Sequence, residues 1–142
     1  MRLLARLLLI GITSCALGQG IAPIPILPTT VKWQTSPTTG NEIAWFVGAP
    51  DKPGVYAQRV KIPAGGKTAP HTHPDERFSV VLEGTIYVGF GEAFDEAKVV
   101  AIPTGGMYVA PAGVPHFIWA RDGAATYQES GFGPTASNFI KR

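Results

Sequence analysis

Twelve basic and 10 acidic side chains in 142 residues leave a net charge of only +2, with no long run of either sign. That balance excludes the phosphate-tracking basic surface on which nucleic-acid affinity rests. Seventeen glycines and 13 prolines, without a sustained 3.6-residue apolar period, argue against a helical domain and for short strands punctuated by turns.

Residues 1–20 read as a signal peptide. Arg2 and Arg6 supply a positive start, Leu7 to Leu17 is apolar, and Ala16-Leu17-Gly18 offers the small residues a signal peptidase requires. The run is short for a bilayer span, so no membrane-spanning segment is expected and the domain is expected to be exported, either periplasmic or secreted. Two alternatives stay open: a retained N-terminal anchor helix, and a lipid anchor at Cys15, because Ile12-Thr13-Ser14-Cys15 resembles a bacterial lipoprotein cleavage box. Cys15 is the only cysteine, so the chain beyond it has neither a disulfide nor a thiolate metal ligand. Without Arg2 and Arg6 the remainder holds ten charges of each sign.

Residues 21–30 form a proline-rich lead-in, and residues 31–142 form a single β-barrel domain. The expected strands start with Val31 to Gln34 and Glu42 to Val47. Val55 to Ile62 alternates Val55, Ala57, Arg59 and Lys61 against Tyr56, Gln58, Val60 and Ile62, the period of a half-buried strand. Pro70, which lacks an N–H, marks a break in strand pairing. Phe78 to Leu82 and Thr85 to Phe90 form a hairpin about Glu83-Gly84, and Glu92 to Lys98 is at most a helical turn. Strands over Val99 to Ile102, Met107 to Ala110, Phe117 to Ala120 and Ala124 to Ser130 follow. Gly131-Phe132-Gly133-Pro134 is expected to end the last of these, leaving a short polar tail.

All three histidines lie in two segments, His71-Thr72-His73 and the Pro111-Ala112-Gly113-Val114-Pro115-His116 turn. Residues at i and i+2 of a strand project from one face, so His71 and His73 can aim at a single ion, with His116 from a later strand completing a facial set. Three neutral imidazoles suit a divalent transition metal, whether Fe, Mn, Ni, Cu or Zn.

These spacings resemble a known family. Gly65, five residues, His71-Thr72-His73 and the closing Gly84 resemble the first motif of the cupins. Gly105, five residues, Pro111-Ala112-Gly113, two residues and His116 resemble the second. The resemblance covers about residues 55–132 and implies an all-β fold, a small antiparallel barrel of the cupin or jelly-roll type with a metal in its mouth. It also implies a homodimer. Two positions depart from the pattern. The family's carboxylate ligand falls at Arg77, and Ala120 stands where asparagine is frequent. Glu76, one residue earlier, is a fourth ligand only if a β-bulge re-aims it, since a one-residue shift turns a side chain to the opposite face.

Without a carboxylate the centre keeps its full positive charge, which favours a small anionic or chelating substrate, and Arg77 is a candidate partner for that anion. Three-histidine cupins include dioxygenases, so the resemblance implies a metal-dependent oxygenase. Tyr108 is a candidate acid–base group, alongside Tyr87 and Tyr127; Gln128 is a candidate second donor, and Phe117 and Trp119 are candidate pocket walls. A non-catalytic module binding a metal or small ligand is the alternative, and a metal-independent isomerase of the sugar-modifying type a third reading.

Overall fold

A computed structural model describes residues 23–141. The expected signal segment and Cys15 lie outside them. The described residues form eleven strands: β1 (Gln34–Thr35), β2 (Glu42–Val47), β3 (Gly54–Ile62), β4 (Lys67–Thr72), β5 (Arg77–Glu83), β6 (Thr85–Phe90), β7 (Val100–Pro103), β8 (Met107–Ala110), β9 (His116–Trp119), β10 (Ala125–Gly133) and β11 (Asn138–Phe139). They pair antiparallel in two sheets, ordered β1-β2-β3-β10-β5-β8 and β11-β4-β9-β6-β7. The expected all-β barrel architecture is the one observed. Among the described residues no helix is long and apolar enough to cross a membrane, and the expected helical turn is a single 3₁₀ turn, Glu96–Lys98, capped by Asp95.

Period-2 alternation decides what faces inward. On β3, Tyr56, Gln58, Val60 and Ile62 are buried while Val55 is exposed, as the pattern of apolar residues predicts. Val60 and Ile62 join Val81, Ile86, Val88, Tyr108, Ile118, Ala125 and Tyr127 in the apolar core. The inward positions then change character along three neighbouring strands. Ile62 and Val60 give way to Gln58, Val81 gives way to Ser79 and Arg77, and Ala125 and Tyr127 give way to Glu129. Register aligns these changes: Tyr127 pairs with Val60 and Val81, and Glu129 pairs with Gln58 and Ser79. One end of the barrel is therefore hydrocarbon and the other is buried but polar.

Three expectations about element bounds are corrected. The first strand is only Gln34–Thr35, because Trp33 leaves the ladder and lays its ring beneath the Lys61 ammonium, 3.9 Å away. Residues 131–134 do not end the last long strand, which runs through Gly133. At Gly131 a Cβ would stand 2.7 Å from the Tyr56 hydroxyl and 2.9 Å from the Glu76 carbonyl, so glycine here permits a close approach of strands. The tail is not a loose polar end either. Asn138–Phe139 pairs with Thr72 and His71 of β4, and the Ile140 N–H donates to the Pro70 carbonyl.

Candidate metal centre

The two histidine segments meet because β4 lies beside β9, with His71 opposite His116. The β4–β9 register shifts between Thr68 and His71, around Pro70, where no N–H is available to the ladder. The irregularity leaves Pro70 and His71 both buried, and alternation then buries His73. The second segment is fixed to the first by the Gly113 N–H, which donates to the His73 carbonyl at 2.8 Å. Gly113 holds φ +72°, a conformation that costs an L residue about 1–2 kcal/mol. Gly113→Val is accordingly expected to destabilise the protein by about that amount in chemical denaturation, and to weaken metal binding by moving His116.

The three rings lie with centroids 4.4 to 5.0 Å apart, and each offers a nitrogen within 4.8 Å of the other two. Every Nδ1 contacts a backbone carbonyl: His71 to Ala69 at 2.8 Å, His73 to Ala136 at 2.7 Å and His116 to Val114 at 3.2 Å. A carbonyl only accepts, so each Nδ1 carries the proton and each Nε2 keeps its lone pair. The Nε2 atoms of His73 and His116 are buried without a hydrogen-bond partner. Orphaned basic nitrogens that converge, with their tautomers set by backbone acceptors, are the arrangement a divalent metal requires. The residues fit the ion.

Electrostatics keep the rings neutral. Burial, followed by the charges of His116 and Arg77, lowers His71 to about 4. Burial and then Arg77 lower His73 to about 2, and burial lowers His116. The unfolded chain therefore binds protons below about pH 6.5 that the folded chain refuses. Stability from these groups is complete above that pH and declines as pH falls from 6.5 toward 4. A calorimetric pH series on metal-free protein should show Tm level above neutrality and falling through this window; a Tm that rose on acidification would contradict the assignment.

Arg77 turns inward and is 2% exposed. Its Nη1 donates to Glu129 Oε2 at 3.0 Å, its Nη2 donates to the Thr135 hydroxyl, and Asp75 lies 3.6 Å away. Asp75 in turn accepts from Tyr56 and Thr135. Glu76, on the opposite parity, is exposed and stands outside the histidine group. Tyr108 belongs to the apolar core, its ring 6.4 Å from that of His116. Burial, followed by the charge of Glu129, pushes its hydroxyl well above the ordinary tyrosine range. Gln128 faces away and accepts from Arg59, while Tyr87, itself buried, donates its hydroxyl to Asp122 and accepts from Arg121.

A cavity of about 270 Å³ opens beside His71 and His73, lined also by Gln58, Arg77, Tyr127, Glu129 and Phe139. Neither Phe117 nor Trp119 lines it; Phe139 does, with its ring 5.4 Å from His71. Glu129 and Phe139 are the residues that reasoning from the sequence missed. Glu129 was within reach, because two residues after an inward Tyr127 the side chain must point inward again. Phe139 gave no signal.

The family model for the cupin domain matches residues 58–127. Among curated proteins, the chain is 37% identical over 68 residues to germin-like protein 5-1 of Oryza sativa subsp. japonica, a match covering 46% of this chain and 30% of that one. The matched stretch amounts to about a third of the length of the curated relatives. Among solved structures, the fold is similar to the polyketide cyclase RemF from Streptomyces resistomycificus, with TM-score 0.69 and 17% identity over 87% of each chain. It is also similar to an oxalate oxidase, with TM-score 0.59 and 24% identity over 75% of this chain and 58% of that one.

Proposed function

The chain is a small cupin-domain protein, and we propose that it is a metal-dependent oxygenase whose ion is held by His71, His73 and His116 and whose substrate is a small chelating molecule. The observation that carries this reading is the convergence of three imidazoles whose Nδ1 atoms are all tied to backbone carbonyls. A divalent transition metal bound there supplies Lewis acidity and redox chemistry with O₂. The chain's own residues do the rest. Burial keeps the ligands neutral, and the Ala69, Ala136 and Val114 carbonyls hold their orientation. The polar cavity admits a ligand to one side of the ring cluster. The likeness to an oxalate oxidase adds a shared fold; the substrate follows from the cavity instead.

The test is anaerobic loading with Fe(II) or Mn(II), followed by O₂ uptake with thiols, diketones, flavonols and hydroxy acids. Uptake above that of free metal, abolished by His71→Ala, is the expected result, and uptake no faster than free metal with every class contradicts the reading. The buried Arg77–Glu129 pair favours a second reading, a non-catalytic module, because it occupies charged groups that would otherwise serve catalysis. Ligand-induced stabilisation without turnover distinguishes it. Export and a homodimer complete the proposal. Exposed Val55, Phe78, Met107 and Phe132 on the first sheet support pairing with a second copy, which sedimentation would measure.

A further inference from the structure

The cavity wall contributed by β3, β5 and β10 differs in chemistry from the histidine wall. Arg77 is the group expected to greet an anion, yet its terminal nitrogens are committed. Nη1 donates to Glu129 Oε2 at 3.0 Å, and Nη2 reaches the Thr135 hydroxyl and, at 3.4 Å, the Ala136 carbonyl. Gln58 Nε2 donates to the same Glu129 Oε2. Both donors land on one oxygen, so Oε1 takes neither, on a carboxylate that lines the cavity and is 4% exposed. Donation through Nε2 also sets the Gln58 amide and leaves its Oε1 as an acceptor. At Gln58 and Glu129 the wall therefore presents acceptors held in place by an internal ion pair, with the Tyr127 hydroxyl, which can donate or accept, beside them. A ligand anion placed against it meets a fixed carboxylate, whereas a ligand hydroxyl donates to it. The volume, about 270 Å³, lies just below the range of drug-sized pockets and suits a small ligand.

Resting on the metal reading of the histidines, we propose that the site takes a small α-hydroxy acid. Its hydroxy-carboxylate head chelates on the histidine side, and a further hydroxyl donates to Glu129 Oε1. Glu129 and Gln58 thereby select against a second carboxylate at that end of the ligand. Glu129 acts as a specificity residue, and Arg77 positions it.

Three acids that share the chelating head and differ in the tail decide the matter: glycerate (CH₂OH), lactate (CH₃) and tartronate (COO⁻). Each is titrated calorimetrically into Zn(II)-loaded protein, whose metal does not turn over. Glycerate should bind at least roughly tenfold tighter than tartronate, with lactate between them, as expected where a buried acceptor is left unpaired or opposed. Tartronate or lactate binding as tightly as glycerate overturns the proposal. In Glu129→Gln the penalty on tartronate should shrink by at least roughly tenfold, since an amide can donate to it; an unchanged ranking in a folded variant also overturns the proposal. Should that variant not fold, the wild-type ranking decides. Zinc that binds while none of the acids does refutes this inference alone; failure of zinc to bind refutes the metal reading, and this inference with it.

Discussion

His116→Ala is expected to lower metal affinity by roughly 100-fold or more, since losing even an outer-shell partner of a metal ligand costs about 10–100-fold. His116 is fully buried, its Nε2 has no other partner, and it is the one ligand from the second histidine segment. Removing it leaves His71, near the end of β4, and His73, just past it, as a pair that cannot complete a facial set. The effect should be confined to the metal-loaded protein. An ion present at 100 times its Kd stabilises the fold by about 2.7 kcal/mol, so wild type should gain several degrees in Tm on metal addition and the variant should gain almost none. Binding isotherms and thermal melts with and without metal check both halves.

Glu129→Ala is expected to be the most destabilising change near the site. It strips the partner from an arginine that is 2% exposed, and breaking a buried pair from one side costs about 3–5 kcal/mol. Asp75, 3.6 Å from Nη2, still compensates part of the charge, which puts the cost near the lower bound. Even that is a large share of the roughly 5–15 kcal/mol that typically holds a domain together. The double variant Arg77→Met with Glu129→Leu should recover part of the loss, because replacing both partners by apolar groups of similar volume is often neutral, while Asp75 loses its neighbouring cation and keeps only the Tyr56 and Thr135 hydroxyls. Urea denaturation of wild type and both variants measures this, and a Glu129→Ala protein no less stable than wild type would show that leaving Arg77 without this partner costs nothing.

How much of the structure is legible in the sequence depends on whether a feature is local or arises from register. Strand alternation in β3, the break at Pro70 and the convergence of the two histidine segments follow from period 2 and from turn chemistry, and each is present. The expected hairpin about Glu83-Gly84 does not form: the turn at Gly84 carries the chain from one sheet to the other, with β5 pairing to β10 and β8 and β6 to β7 and β9. Parity also puts Arg77 inside and Glu76 outside. What parity alone does not supply is the identity of the facing side chain. Arg77 looks available to a substrate anion because its partner, Glu129, lies 52 positions away on a neighbouring strand. The tail misleads for a related reason. Gly131 and Gly133 look like strand breakers, yet they are where a Cβ would run into the Tyr56 hydroxyl and the Glu76 carbonyl in one case and the Lys52 carbonyl in the other, and the chain beyond them returns to supply the Ala136 carbonyl for His73 and the Phe139 ring beside His71.

The replacement of a ligating carboxylate by Arg77 has an electrostatic consequence. Three neutral donors leave the ion its full charge, while the adjacent cation is neutralised by Glu129 rather than by the ligand. Attraction for an anion therefore concentrates at the metal and is absent at the far wall, which gives the cavity a polarity along its length. The hydroxy-acid proposal follows from that polarity.

X-ray absorption on Co(II)-loaded protein, compared with His116→Ala, reads the coordination by the three histidines itself. Three imidazole nitrogens are expected, with the remaining positions filled by light oxygen donors, and that signature is lost in the variant. A wild-type spectrum with one imidazole or none, or a spectrum unchanged by His116→Ala, would contradict that coordination.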